Sequence, residues 1–501
     1  MKLRNFKTPA LVCCLFLLAT AAGFAFDYAS IEDDVTEFSL DNGLKVIVME
    51  RHNAPVASFV TFANVGGAND PKEYTGIAHM LEHMAFKGTK DLGTTDLEAE
   101  MEAMRVEDSI WHELRAERKK GDLADSARIA QLEVDFEKAI EEANQYVDAN
   151  AIWRTYEEEG GVGLNAGTGM DMTVYFVNLP SNKAELWFAI ESERFYRPVF
   201  REMYKERNVV AEERRMTLEN SPISKLIDQL KSAAFTAHPY GVAIIGHMSD
   251  IQNYSRAAVR RHLEKYYVPS NMCIAIVGDV DPEKMHKLAK KYWGRLPASP
   301  EPEELATVEP EQEGERRVYL EDPSQPFFAA AWHIPHDRHP DWPAVQAMVD
   351  YLGQGRTSLL YKDLVKEQKI AAQAGAFAGM PGSKYPSLAM VYAVPTTDAT
   401  NEECEEAVFN QVERMKEELL PEEEVEKIKA RAKAQFIRGL TSNQGMAMQL
   451  AGYEVLSGDW RDMFNELDRI NAVSAEDIQR VAKEYFTKKN RTVAYLQTTE
   501  E

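Results

Sequence analysis

A chain of 501 residues exceeds what one hydrophobic core ordinarily supports, so at least two domains are expected. Its 45% hydrophobic and 10% aromatic content excludes an intrinsically disordered chain. With 57 basic against 81 acidic side chains the formal net charge is −24, a field that repels phosphate backbones and leaves no case for a nucleic-acid partner.

The first residues read as an export signal. Lys2, Arg4 and Lys7 precede an apolar run from Ala10 to about Ala22, and Gly23-Phe24-Ala25 offers small residues at a signal-peptidase spacing. Residues 1–25 are therefore expected to leave by cleavage near Ala25, in a protein exported to the periplasm or beyond the cell. Retention as an uncleaved anchor is the alternative. No later stretch approaches 18 apolar residues, so no transmembrane span is expected in the mature chain. Cys13 and Cys14 depart with the signal, Cys273 sits in a buried-strand pattern and Cys404 in an acidic helical one. That leaves neither a disulfide framework nor metal-ligand cysteine spacing.

The segment Phe38 to Val48 reads as a hairpin turning at Asn42-Gly43, and Pro55 to Val65 as a further strand. A helix is expected from about Thr75, opened by Thr75 and Gly76 and closed by Gly88. From about Arg105 to Tyr156 the chain is charged, poor in Gly and Pro, and striped by Ile110, Leu114, Ile129, Leu132, Phe136 and Ile140. This predicts an inserted α-hairpin turning at Gly121-Asp122, either packed on the surface or used to dock a partner. Thr173 to Val177 alternates as a strand, and Lys183 to Arg194 has helical period.

An internal repeat follows. Ile251 to Val277 lies on Ile470 to Leu496 at an offset of 219, pairing Ser255, Arg261, Tyr266, Asn271 and Ala275 with Ser474, Arg480, Tyr485, Asn490 and Ala494. Both copies read helix, aromatic pair, Asn, apolar strand. Between them, residues 298–315 are rich in Pro and Glu, the composition of a solvated linker. The expected architecture is α+β: homologous mixed α/β domains over residues 26–297 and 316–499, with the hairpin inserted in the first.

The chemistry concentrates in His79-Met80-Leu81-Glu82-His83. Two histidines four apart on a helix share a face and can reach one metal ion, and Glu82 stands beside them as a general base. Chance would give this spacing roughly 0.04 times in a chain of this composition. A third ligand is needed. Glu206 and Glu213, two helical turns apart, share a face, so one can bind metal while the other orients a ligand histidine. The plain alternative is a solvated acidic helix. His238-Pro239-Tyr240-Gly241 reads as a turn. His333, His336 and His339 lie among helix-breaking prolines and give no expected second site.

The segment GIAHMLEHMAFKGT, followed far downstream by ERNVVAEE, resembles the pitrilysin/insulinase family of inverted zincins, short two-domain type. Further likeness runs through LDNGLKVIV, the strand LNAGTGMDMTVYF, HPYGVAIIGHMSDI, YYVPSN and GQGRTSLLYKDL. The resemblance implies one Zn²⁺ per chain on His79, His83 and Glu213, Glu82 as base and Glu206 behind His83. It also implies paired homologous domains, and a peptide backbone held along Asn165 and Ala166 by strand addition. Members usually carry about 76 residues between the last His and the ligand Glu; here there are 129, an excess close to the length of the inserted hairpin.

One departure bears on activity. Many members carry a substrate-contacting Arg and Tyr in the second domain, and the matching positions here are Val365 and Ala372. The resemblance then implies the zinc-bearing subunit of a heterodimer that cleaves peptides or unfolded polypeptide in an enclosed chamber. A paralogous partner would supply the Arg and Tyr. The alternatives are a non-catalytic assembly subunit and a peptide-binding subunit of such a complex.

Overall fold

Asn42-Gly43 turns the chain where the sequence places it. In the computed structural model, which describes residues 28–499, β1 (Val35–Ser39) and β2 (Lys45–Glu50) pair antiparallel with Ser39 opposite Lys45. Gly43 takes φ +94°, a conformation that strains any residue with a Cβ. The expected signal segment lies outside the described residues, and none of the described helices is long and apolar enough to cross a membrane.

β3 (Val56–Ala63), β4 (Val162–Thr168), β5 (Thr173–Pro180) and β6 (Met272–Gly278) complete a six-stranded sheet ordered β1-β2-β6-β3-β5-β4. The stretch LNAGTGMDMTVYF, expected as one strand, folds back at Gly169–Met172 into β4 and β5, with Thr168 opposite Thr173. A second sheet holds β7 (Arg316–Asp322), β8 (Phe327–Ile334), β9 (Ala371–Met380), β10 (Ser387–Pro395) and β11 (Arg491–Thr498) in the order β7-β11-β8-β10-β9. Each sheet has one parallel pair, β2 with β6 and β7 with β11, and the remaining pairings are antiparallel. Without β1 the two sheets have the same topology, so the chain is two similar α+β halves.

The repeat is reproduced in detail. Helices Arg256–Tyr266 and Ala475–Tyr485 are capped by Ser255 and Ser474, and lead into β6 and β11. Asn271 Nδ2 donates to the carbonyls of Tyr266 (2.8 Å) and Asn64 (3.2 Å). Asn490 Nδ2 donates to those of Tyr485 (2.7 Å) and His333 (2.8 Å). Upstream the offset between halves is larger: β3 begins at Val56 and β8 at Phe327 (327 − 56 = 271). The difference from 219, 52 residues, lies in the first half's extra helices.

Those helices begin earlier than expected. They span Leu97–Arg118 and Ser126–Asn144, with the turn at Gly121–Leu123 as read from the sequence. The start moves from Arg105 to Leu97 because Asp96 accepts from Ala99 N and so supplies a cap upstream of the apolar stripe. The hairpin ends at Asn144, and Tyr156 belongs to a separate helix, Ala151–Glu158. Trp111, Leu114, Leu132 and Phe136 are buried in the core of the first half.

Each half lends a helix to the other. Pro222–Ala234 buries its Leu226, Leu230, Ala234 stripe against Phe327, Ala329, Leu388 and Leu496 of the second sheet. Asn443–Ser457 places Met446, Ala447, Leu450 and Ala451 on Ile47, Val60, Phe62 and Ala275 of the first. With helices on its outer face as well, β6 is buried at every position, which is why MCIAIVG lacks alternation. The expected linker has no helix or strand and is mostly exposed, and two of its side chains fasten it to the surface. Glu309 accepts from the N–H groups of Thr236, Ala237 and His238, and buried Gln312 donates to the carbonyls of Lys489 and Arg491. A carboxylate that finds three unpaired N–H groups fixes a segment whose composition alone reads as free.

Candidate metal centre

The motif helix spans Ile77–Met84 and buries Ile77, Ala78, Met80, Leu81 and Met84, leaving His79, Glu82 and His83 on its open face. Its N-terminus is satisfied by a residue the sequence reading missed. Asp70 accepts from Gly76 N (2.7 Å) and Ala78 N (3.1 Å). Thr75, expected to open the helix, instead donates its hydroxyl to Asp250 (2.6 Å) and accepts from His247 N (2.9 Å). Gly76 sits at φ +85°, where a Cβ would meet Ile245 O at 2.3 Å. The helix stops at Met84, before the Gly88 expected to close it.

The helix Met203–Arg214 crosses the open face of the motif helix. Glu213 Oε1 lies 3.7 Å from His79 Nε2, and Glu213 Oε2 lies 3.6 Å from His83 Nε2. The donor atoms of His79, His83 and Glu213 all fall within 4.8 Å of one another. These separations are long for hydrogen bonds and suit one ion between three donors at zinc-ligand distances of roughly 2.0–2.2 Å. The residues therefore fit a metal: two imidazoles and a carboxylate converge without satisfying each other.

Glu206 completes the arrangement from behind. His83 Nδ1 lies 2.8 Å from its Oε1, and Lys87 Nζ lies 2.5 Å from its Oε2. Burial alone would raise the Glu206 carboxyl, but His83 and Lys87 outweigh it and hold it at about 2. Burial lowers His79, helped by His83, to about 4, so that ring is neutral as a ligand must be. For His83 burial acts in the same sense but is overcome by Glu206, and its pKa is raised.

Glu82 is half-buried beside the three donors. Thr168 Oγ1 donates to its Oε2 at 2.6 Å, a contact the sequence did not disclose. Burial raises the Glu82 carboxyl, while the Thr168 hydrogen bond and His83 oppose the rise. Thr168 ends β4, the edge strand of the sheet, and Asn165 and Ala166 lie on the same strand opposite Phe176 and Tyr175. Asn165 is exposed. An open strand edge thus runs to the base of Glu82.

The other histidines lie elsewhere. His238 is buried and caps its own turn, accepting from Tyr240 N, as the turn reading expects. His333 Nε2 lies 3.0 Å from Ala234 O. Val365 is half-buried against the second core and Ala372 is exposed on β9.

A two-half α+β fold with two histidines four apart and a distant glutamate on one potential metal position defines a class, proteins of two similar halves with a candidate metal centre in the first. The comparisons with known proteins are specific within it. The sequence model described as "Insulinase (Peptidase family M16)" matches residues 45–109 and 138–247, and that of the "Peptidase M16 inactive domain" matches 253–432. The chain belongs to this family. It is 27% identical over 504 residues to "Zinc protease PqqE" of Helicobacter pylori, covering 99% of this chain and 100% of that one. It is 24% identical to "Mitochondrial-processing peptidase subunit beta" of Lentinula edodes over 92% of this chain and 89% of that one. The crystal structure of a protease from Helicobacter pylori superposes with a TM-score of 0.76 at 26% identity, covering 92% and 99% of the two chains.

Proposed function

We propose that this chain is a zinc-dependent endopeptidase acting on peptides or unfolded polypeptide, and that it is the catalytic subunit of a heterodimer. The convergence of His79, His83 and Glu213 beside Glu82, at the end of an open strand edge, carries the reading. A bound zinc would supply Lewis acidity toward the scissile carbonyl and a water of lowered pKa. The chain's own residues do the rest. An extended substrate would add as a strand beside β4 along Asn165 and Ala166, displacing the Asn165 Oδ1 that accepts from Ala166 N at 2.9 Å. Glu82 takes a proton from the attacking water and returns it to the leaving amine. Thr168 holds the Glu82 carboxylate in place, and Glu206 holds His83 in the tautomer that turns Nε2 outward.

Val365 and Ala372 support the heterodimer, since neither side chain can hydrogen-bond to a substrate. So does the likeness to a protein named as a subunit beta. In this reading the domains are residues 26–297 and 316–499 joined by 298–315, and the mature chain is periplasmic or extracellular after cleavage near Ala25. The test is to purify the mature chain with zinc, alone and with a co-purifying homologue that carries Arg and Tyr at the two positions. Cleavage of unfolded peptides is then measured. Strong activity only in the pair is expected; full activity of the chain alone sinks the heterodimer.

A further inference from the structure

The face of helix Met203–Arg214 turned away from Glu206 and Glu213 carries a buried cation, Arg207, that among the described residues makes no direct ion pair, although Glu107 and Glu137 lie near enough to favour its charge. Arg207 is only 8% exposed and its Nη1 is fully buried with no hydrogen-bond partner. What surrounds it is aromatic: the guanidinium lies 4.1 Å from the Trp111 ring centre, 5.1 Å from Tyr204 and 6.0 Å from Phe136. Ring faces attract a cation but accept none of its five N–H donors well. The nearby carboxylates are otherwise engaged. Glu107 and Asp108 bind Arg256 at 2.6 and 2.5 Å, and Glu133 binds Arg118 at 2.6 Å; Glu137 is exposed to solvent.

A cavity of about 390 Å³ opens beside this group, lined by Arg207, Arg118, Asn208, Ala211 and Gln252. Two arginines and two carboxamide residues line it and no carboxylate does, although Arg118 is shared with Glu133 at 2.6 Å and the Arg207 Nη1 lies behind the lining. In a chain of net charge −24, a recess lined by two arginines and no acidic residue is unusual. An unpaired buried cation is costly, and the planar fork of arginine matches the paired oxygens of an oxyanion.

We infer that this recess is an oxyanion-binding site that takes one phosphate or carboxylate group between Arg207 and Arg118, with Asn208 and Gln252 as further donors. Trp111 and Arg118 both come from residues 110–137, the segment that the family's sequence model leaves unmatched. The site is thus a product of this chain's longer hairpin. A bound anion would tie that hairpin to the helix bearing Glu206 and Glu213, and to Gln252 beyond it. The inference stands apart from the metal reading.

Calorimetric titration of the purified full chain with inorganic phosphate, and separately with acetate, in low-salt buffer tests it. Saturable one-to-one binding is expected, with a rise in thermal midpoint. Arg207→Gln should weaken binding by about tenfold or more, since a charge-assisted contact is lost. Arg118→Gln should weaken it less, and Glu137→Gln, which removes a negative charge near Arg207, should not weaken it. If Arg207→Gln fails to fold, Arg118→Gln at its half-exposed position decides. Phosphate binding without acetate competition assigns a tetrahedral anion, and acetate competition a carboxylate such as a peptide C-terminus. No saturable binding of either anion to the wild type, or unchanged binding in both arginine variants, overturns the site.

Discussion

Glu206 accepts a hydrogen bond from His83 Nδ1–H at 2.8 Å, and that contact leaves Nε2 as the ring nitrogen that faces the candidate metal position. Replacing Glu206 with Gln removes the charge but keeps the shape, so the fold should survive. Zinc affinity should fall about tenfold to a hundredfold, the range for partners that orient a ligand histidine. Competition against a chromophoric chelator measures this directly. Affinity within twofold of wild type would show that His83 needs no such partner.

The same contact sets an acid dependence in the metal-free chain. The Glu206 carboxyl is held at about 2, below its ordinary value of 4.5. A depressed folded-state pKa contributes stability that is fully present above 4.5 and is lost as pH falls toward 2. Wild type should therefore lose its advantage over Glu206→Gln across that window. Urea unfolding of both metal-free proteins at pH 6, 4 and 2.5 checks the sign. An advantage that grows on acidification would contradict it.

Glu82→Gln should retain zinc yet lose about a hundredfold to ten-thousandfold in turnover, whereas His83→Ala should lose both. Thr168→Val gives a subtler result. Its hydroxyl opposes the rise that burial imposes on Glu82, so removing it should move the acidic limb of the kcat/KM profile to higher pH. Metal content and pH profiles for the three variants separate ligand, base and base-positioning roles. Near-normal turnover in Glu82→Gln would refute the base.

How much of this was legible beforehand follows the range of the contacts. The hairpin at Asn42-Gly43 and the Asn271/Asn490 repeat rest on neighbours within a few residues or on a fixed offset and appear where the sequence puts them, and the motif helix does so too, though it ends at Met84, short of Gly88. The Asp70 cap has no adjacent-residue signature, because its carboxylate reaches Gly76 N from six residues upstream. The Thr168 contact to Glu82 spans 86 residues and has no periodic trace. Nor does the exchange of helices Pro222–Ala234 and Asn443–Ser457 between sheets. Their apolar stripes announce burial but not the surface they bury against. The anchoring of residues 298–315 has no trace for a related reason, since composition reports solvation and not the three N–H groups that meet Glu309.

The segment after the motif helix is held by a buried ion pair whose removal should be severe. Arg201 and Glu100 are 1% and 0% exposed and meet at 2.7 Å. Arg201 also donates to the carbonyls of Lys87, Thr89 and Leu92, so it fixes the turn that carries Lys87 toward Glu206. Glu100→Ala leaves that guanidinium buried with only carbonyl partners, a loss of about 3–5 kcal/mol. Arg201→Met with Glu100→Leu removes both charges and should cost clearly less than the single change, though the three carbonyls then lose their donor. Because the hairpin helix Leu97–Arg118 supplies Glu100, Glu100→Ala should also weaken zinc binding through Lys87 and Glu206. Denaturant unfolding of single and double variants, with zinc affinity measured on each, tests both statements. A Glu100→Ala protein with wild-type stability would show that the pair does not anchor the turn.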